Sequence, residues 1–184
     1  MTTYTYSTNA NDSYATVAGP LDSSNTILYL GGHNVYSNGD TRTWIPFVVN
    51  IPQGTEIVSA TLRWVAVDTR TEDFNINIAC EAADNASTPA DRAALFAKSL
   101  TTGVTAAVPD HTTGVEYSND VTAAVQAVLD RAGWVSGNTL AIIVDDASAT
   151  GFQRREIAAF ENSTYAEPML DIVVNYIPKG AGLI

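Results

Sequence analysis

The chain has one cysteine, two histidines and few basic residues among its 184 positions. Each shortage excludes something. Cys80 has no second cysteine to pair with, so no intrachain disulfide braces the domain. His33 and His111 stand far apart, each without a Cys or His neighbour at ligand spacing, which argues against a zinc site of the usual kinds. Nine Lys and Arg face 20 Asp and Glu, a formal net charge of −11. That balance speaks against an electrostatic grip on nucleic acid or anionic lipid. No segment approaches the length and apolarity of a membrane span, so no membrane insertion is expected. Gly-x-Ser-x-Gly, P-loop and dinucleotide fingerprints are missing. The opening "MTTYTYSTNANDSY" has neither a basic nor an apolar leader region. The expectation is a protein that stays where it is made or leaves inside a particle released by lysis.

What is present is a globular composition, 46% hydrophobic and 16% charged. It is sized for one domain over 1–176, followed by a short tail over 177–184. Strand signals dominate. Residues 25–31, 42–51, 56–67, 74–82, 138–146 and 168–176 are rich in β-branched and aromatic residues, and 3–7, 13–17 and 113–118 are weaker candidates. Gly31-Gly32, Asn38-Gly39-Asp40, Pro52-Gln53-Gly54 and Ser136-Gly137-Asn138 are turn sequences between them. Over 74–81 Phe74, Ile76, Ile78 and Cys80 alternate with Asn75, Asn77 and Glu81, which predicts one core face and one wet face and makes Cys80 a small core hydrophobe. "LAIIV" (140–144) is apolar on both faces, as in a central strand or a subunit contact.

Two short helices are predicted. One spans 87–99, with Thr88 as N-cap, Pro89 at the first helical position and Asp91 near the positive end of the dipole. The other spans 119–134, capped by Asp120 and ended by Gly133 in a left-handed turn, with Val121, Val125, Val128 and Leu129 on one stripe. Many strands, two short helices and no βαβ alternation predict an all-β fold, a jelly-roll-like antiparallel β-sandwich.

Four stretches carry a further signal: "IPQGTEIVSATLRW" (51–64), "ACEAADNAST" (79–88), "GVEYSNDVTAAVQAVLDRAGWVSGNTLAIIV" (114–144) and "RREIAAFENSTYAEPMLDIVVNY" (154–176). A Pro-Gly turn feeds an I-x-S-A-x-L strand. A short helix then runs into GW-x-x-GN-x-L, and a P-x-L-x-I-x-x-x-Y strand closes the pattern. Together they resemble the DNRLRE-type jelly-roll modules related to carbohydrate-binding modules, over roughly residues 25 to 176. The resemblance implies a sandwich that binds or assembles. Such modules are appended to glycanases, adhesins and cell-surface proteins, and similar domains occur among tailed-phage virion proteins.

The side chains present could furnish three kinds of site. Glu156, Glu161 and Glu167 have the look of a glycosidase acid cluster. On a continuous strand Glu156 and Glu161 would face opposite ways, and the expectation is a polar turn with an Arg–Glu pair, not an enzyme. Calcium would need several oxygens where loops meet strand ends, and Asp12, Asp145, Asp146 and Glu161 are the candidates, with Asp40 beside them. No cofactor other than calcium is implied. Glycan stacking would need exposed rings. Trp64 alternates with Leu62 and Ala66 and reads as core. Trp44, Tyr36 and Tyr165 are the candidate surface rings.

The function expected from all this is a non-enzymatic module on a virion surface, either a capsid decoration or a tail- or fibre-associated protein. Its partners would be other virion proteins, further copies of itself in a homo-oligomer, and a host-surface glycan. The alternative is a carbohydrate-binding module of an exported or cell-surface protein.

Overall fold

The computed structural model describes residues 1–16, 18–32, 41–147 and 153–175. His33, Tyr36, Asp40 and the tail 177–184 lie outside them. The strands are β1 (Thr2–Ser7), β2 (Ser13–Thr16), β3 (Ile27–Gly31), β4 (Thr41–Val48), β5 (Ile57–Val65), β6 (Asn75–Cys80), β7 (Val104–Ala107), β8 (Glu116–Asp120), β9 (Thr139–Asp146), β10 (Arg154–Ala158) and β11 (Met169–Val174). The helices are α1 (Arg92–Phe96) and α2 (Thr122–Leu129).

The fold is an all-β sandwich with antiparallel pairing throughout. A four-stranded sheet runs β1-β11-β5-β8 and a five-stranded sheet runs β2-β4-β9-β6-β7, with β10-β3 as a separate pair. The pairings β3 with β10, β4 with β9, β5 with β8 and β6 with β7 are nested one inside the next. The chain is thus one long hairpin, with its tip between β6 and β7, wound into two layers, which is the jelly-roll arrangement. The pair β3–β10 spans from one layer to the other. Thr43 Oγ1 on β4 donates to Tyr29 O at 2.5 Å, and Val67 N donates to Glu156 O at 3.0 Å.

Alternation fills the gap between the sheets. Ile45 and Phe47 from β4, Leu62 and Trp64 from β5, Ile76, Ile78 and Cys80 from β6, and Leu170 and Ile172 from β11 belong to one buried cluster. The outer face of the four-stranded sheet is wet and cross-braced. Thr5 Oγ1 donates to Asp171 at 2.5 Å, Arg63 pairs with Asp171 at 2.7 Å, and Arg63 reaches Glu116 at 2.6 Å. That row crosses all four strands. Exposed pairs of this kind contribute little each, about 0–1 kcal/mol, and act together as a register lock.

The outer face of the five-stranded sheet is covered, which decides one open reading and overturns one expectation. The segment from Glu81 to Leu100, carrying α1, folds back over it. Trp44, Ile143, Ala141 and Ala15 pack there against Leu95 and Ala86 as a second buried cluster. The doubly apolar run 140–144 is therefore a central strand covered on both sides by its own chain, not a subunit contact. Glu81, expected on a wet face, is buried beneath the same flap.

Both helices are shorter than their sequence pattern. α1 begins after Asp91, whose Oδ1 accepts from Ala94 N at 2.8 Å, so Asp91 and not Thr88 is the cap. It ends early because the chain must return beside β6, where Ala82 N donates to Ser99 O and Thr101 N to Cys80 O. In α2 the stripe Val121, Val125, Val128 and Leu129 is buried as expected, over the end of the sandwich. Asp120 accepts from Thr122 N at 2.8 Å from just outside the helix. Gly133 has no left-handed φ. Its missing Cβ matters for another reason: a Cβ there would stand 2.1 Å from Asp84 Oδ2, in the carboxylate that accepts from Arg131 at 2.6 Å.

Candidate functional site

The groups of greatest chemical capacity fall in three places. The first is the covered face of the five-stranded sheet. Trp44, expected as a surface ring, is 1% exposed, because α1 and its flanks seal that face. Its Nε1 donates to Glu81 Oε2 at 3.0 Å, and Lys98 Nζ donates to Glu81 Oε1 at 3.0 Å. Beside them Arg42 grips Asp145 with two hydrogen bonds of 2.7 Å and donates through Nη1 to Leu95 O and Phe96 O at the end of α1. Asp145 thereby has a guanidinium as its partner. Asp146 is the next residue along β9 and faces the other way.

The second place is where β10, the 68–74 segment and the 109–111 segment meet. β10 alternates as expected. Arg154 and Glu156 pair at 2.7 Å on one face, while Arg155, Ile157 and Ala158 are buried. Glu156 also lies near Arg70, which pairs with Asp68. Arg155 has no exposed surface. It donates to Pro109 O (3.2 Å), Glu72 O (2.8 Å) and Arg154 O (3.1 Å), pairs with Glu72 Oε2 at 3.3 Å, and lies over the Phe74 ring. Its acidic partner is therefore Glu72.

His111 adjoins this network. Its ring stacks on Tyr117 with centroids 4.2 Å apart, and its Nε2 accepts from Trp64 Nε1 at 3.4 Å. Burial pushes its pKa down to about 4, helped by the charge of Arg155 and opposed by Asp68. The folded value lies below the ordinary 6.5, so His111 contributes stability that is complete above pH 6.5 and is lost as pH falls toward 4. About 3 kcal/mol is at stake over that window. The raised pKa of Asp12 works in the opposite sense over the same window, so the readout is the comparison: in urea unfolding at neutral pH and at about pH 4, His111→Gln should lose less stability on acidification, or gain more, than the wild type.

The third place is the crossing of the β1–β2 loop with the turn before β11. Phe160 N donates to Asp12 Oδ2 at 2.9 Å, and Thr8 N donates to Pro168 O at 3.0 Å. Asp12 is 1% exposed. Burial pushes its pKa up to about 7, the Phe160 hydrogen bond opposes this, and the charges of Glu161 and Glu167 reinforce it. Of the four calcium candidates, the structure brings Asp12 and Glu161 together. Strand β10 ends at Ala158, so Glu161 stands in a turn, and its orientation is not set by strand alternation.

No family model and no curated protein matches the chain. Among the described residues no three Asp, Glu, His or Cys side chains gather closely enough to hold a metal by themselves, and no helix is long and apolar enough to cross a membrane. All three tryptophans are buried. Of the remaining candidate rings, Tyr165 is half-buried against Gly114; Phe160, earlier in the same segment, is exposed. An open groove of about 660 Å³ lies at the foot of α2, with Glu56, Ile57, Val104, Asp120, Gln126 and Asp130 on its walls. Two of its carboxylates already have donors: Asp120 accepts from Thr122 and Asp130 from Gln126.

Thr8 and Arg155 were missed as site residues. Arg155 carried a usable signal, because strand alternation places it on the face of Ile157. Thr8 carried none, since its place depends on the pairing of Ser7 with Met169.

Proposed function

We propose that this chain is a non-catalytic structural and interaction module on the surface of a phage-like virion, as a capsid decoration or a tail- or fibre-associated protein. The observation that carries this reading is where the reactive groups lie. Trp44, Trp64, Trp134, Cys80, His111 and Arg155 are all interior. Burial raises the Cys80 thiol and lowers the His111 imidazole, so each is held in its uncharged form near neutral pH. The residues best suited to nucleophilic, acid–base or stacking chemistry thus join layers together. The broad wet face of the four-stranded sheet and the uncovered edges of β1, β7 and β8 are what the protein offers outward, and such edges and faces serve assembly.

Particles purified from the native source by density gradient, then analysed by mass spectrometry and electron microscopy, test this. The chain should be recovered in the particle fraction at a stoichiometric copy number. Its absence from any particle would refute the proposal. The second reading is a carbohydrate-binding module of an exported or cell-surface protein, which now relies on Tyr165 and Phe160. A glycan array tests it directly, with binding abolished in Tyr165→Ala as the supporting result.

A further inference from the structure

The loop between β1 and β2 carries the chain from one sheet to the other, and it does so against the turn that precedes β11. Two backbone-anchored contacts fix the crossing, Thr8 N to Pro168 O and Phe160 N to Asp12 Oδ2. Inside it are three buried oxygens that receive no hydrogen bond from any described residue: Asp12 Oδ1, Glu161 Oε2 and Thr8 Oγ1. Asp12 is more than nine-tenths buried, and Glu161 directly follows the residue whose amide holds it. A buried carboxylate oxygen without a donor is costly.

We propose that Asp12 and Glu161 are the carboxylate ligands of a calcium ion at this crossing, with Thr8 Oγ1, backbone carbonyls of the two loops and water completing its shell. The donors are all oxygens, which suits a hard cation, and calcium accepts six to eight of them in irregular geometry where magnesium demands a near-ideal octahedron. The charges acting on Asp12 are those of Glu161 and Glu167, both negative, so a cation is the missing complement. Glu167 deepens the negative potential without being assigned as a ligand. A catalytic use of the same carboxylates is the poorer account, because a glycosidase pair must face one sugar and Asp12 is sealed from solvent. The ion would tie the start of the chain to its last turn and clamp one corner of the two sheets.

The test uses the full chain stripped with a chelator. Calcium chloride titrations at pH 7.5 are followed by thermal unfolding and by calorimetry, with Asp12→Asn and Glu161→Gln measured alongside. The wild type should bind one calcium ion with a dissociation constant of about 10⁻⁵–10⁻³ M, and its unfolding midpoint should rise saturably by several degrees. Each variant should bind at least about tenfold more weakly. Glu161→Gln keeps the test decisive if Asp12→Asn fails to fold. No heat and no shift with the wild type would overturn the proposal, as would an undiminished shift in the variants that fold.

Discussion

Replacing Arg155 with Ala is expected to destabilise the protein by about 3–5 kcal/mol, a large part of the roughly 5–15 kcal/mol that holds a typical domain together. Two losses combine. The side chain is wholly buried, so its removal opens a void beside Phe74. It also strips the donor from the carbonyls of Pro109, Glu72 and Arg154, which come from three segments of chain. Arg155→Met restores much of the volume but none of the donors, so it should recover only part of the loss. Glu72→Gln should cost far less, about 1 kcal/mol or under, because the Glu72 carboxylate is 42% exposed while its carbonyl is the firmly held group. Urea unfolding of the three variants would establish the order. If Glu72→Gln proved as damaging as Arg155→Ala, the charge pair and not the carbonyl bridging would be the stabilising element.

Trp44→Ala is expected to cost a similar amount, about 3–5 kcal/mol, and to leave any glycan affinity of the folded fraction unchanged. The ring fills the space between β4 and the flap that carries α1, so its loss should loosen the flap before the sandwich. Trp44→Phe keeps most of the packing and removes only the donor to Glu81, which Lys98 still holds; about 1–2 kcal/mol is expected. Hydrogen exchange at 81–100 would show whether the flap opens first. A Trp44→Ala protein with wild-type stability and lost glycan binding would place the ring at the surface instead.

The contrast between Trp44 and Trp64 shows how far the sequence could be read. Both follow from period-two alternation. Trp64 shares the face of Leu62 and Ala66, and that face is the core. Trp44 lies opposite Ile45 and Phe47, and alternation alone calls that face wet. It is dry because a segment forty residues away covers it, and no local pattern encodes that. The same flap explains Glu81, and it cuts α1 short. Most strands were legible because β-branched runs bounded by turns need no tertiary information. β7 was not, since "VTAA" is short, half small residues and mostly exposed. At the crossing, Asp12 and Glu161 could be named from residue type and loop position. Their meeting depends on the pairing of β1 with β11, which brings together residues more than a hundred positions apart.

That same nesting sets how the chain acquires structure. Thr2 lies opposite Val174 and Gly31 opposite Arg154, so the outer pairings close loops nearly as long as the domain. The β6–β7 tip and the β2–β4 pair are assembled from nearer neighbours. Long closures are entropically expensive before they are rewarded, which places the fold at the slow end of single-domain kinetics, on the order of milliseconds to seconds. During synthesis β1 emerges first and waits for a partner that emerges last. Until β11 arrives, its edge is open to other chains, and early termination anywhere before Met169 leaves that edge permanently unpaired.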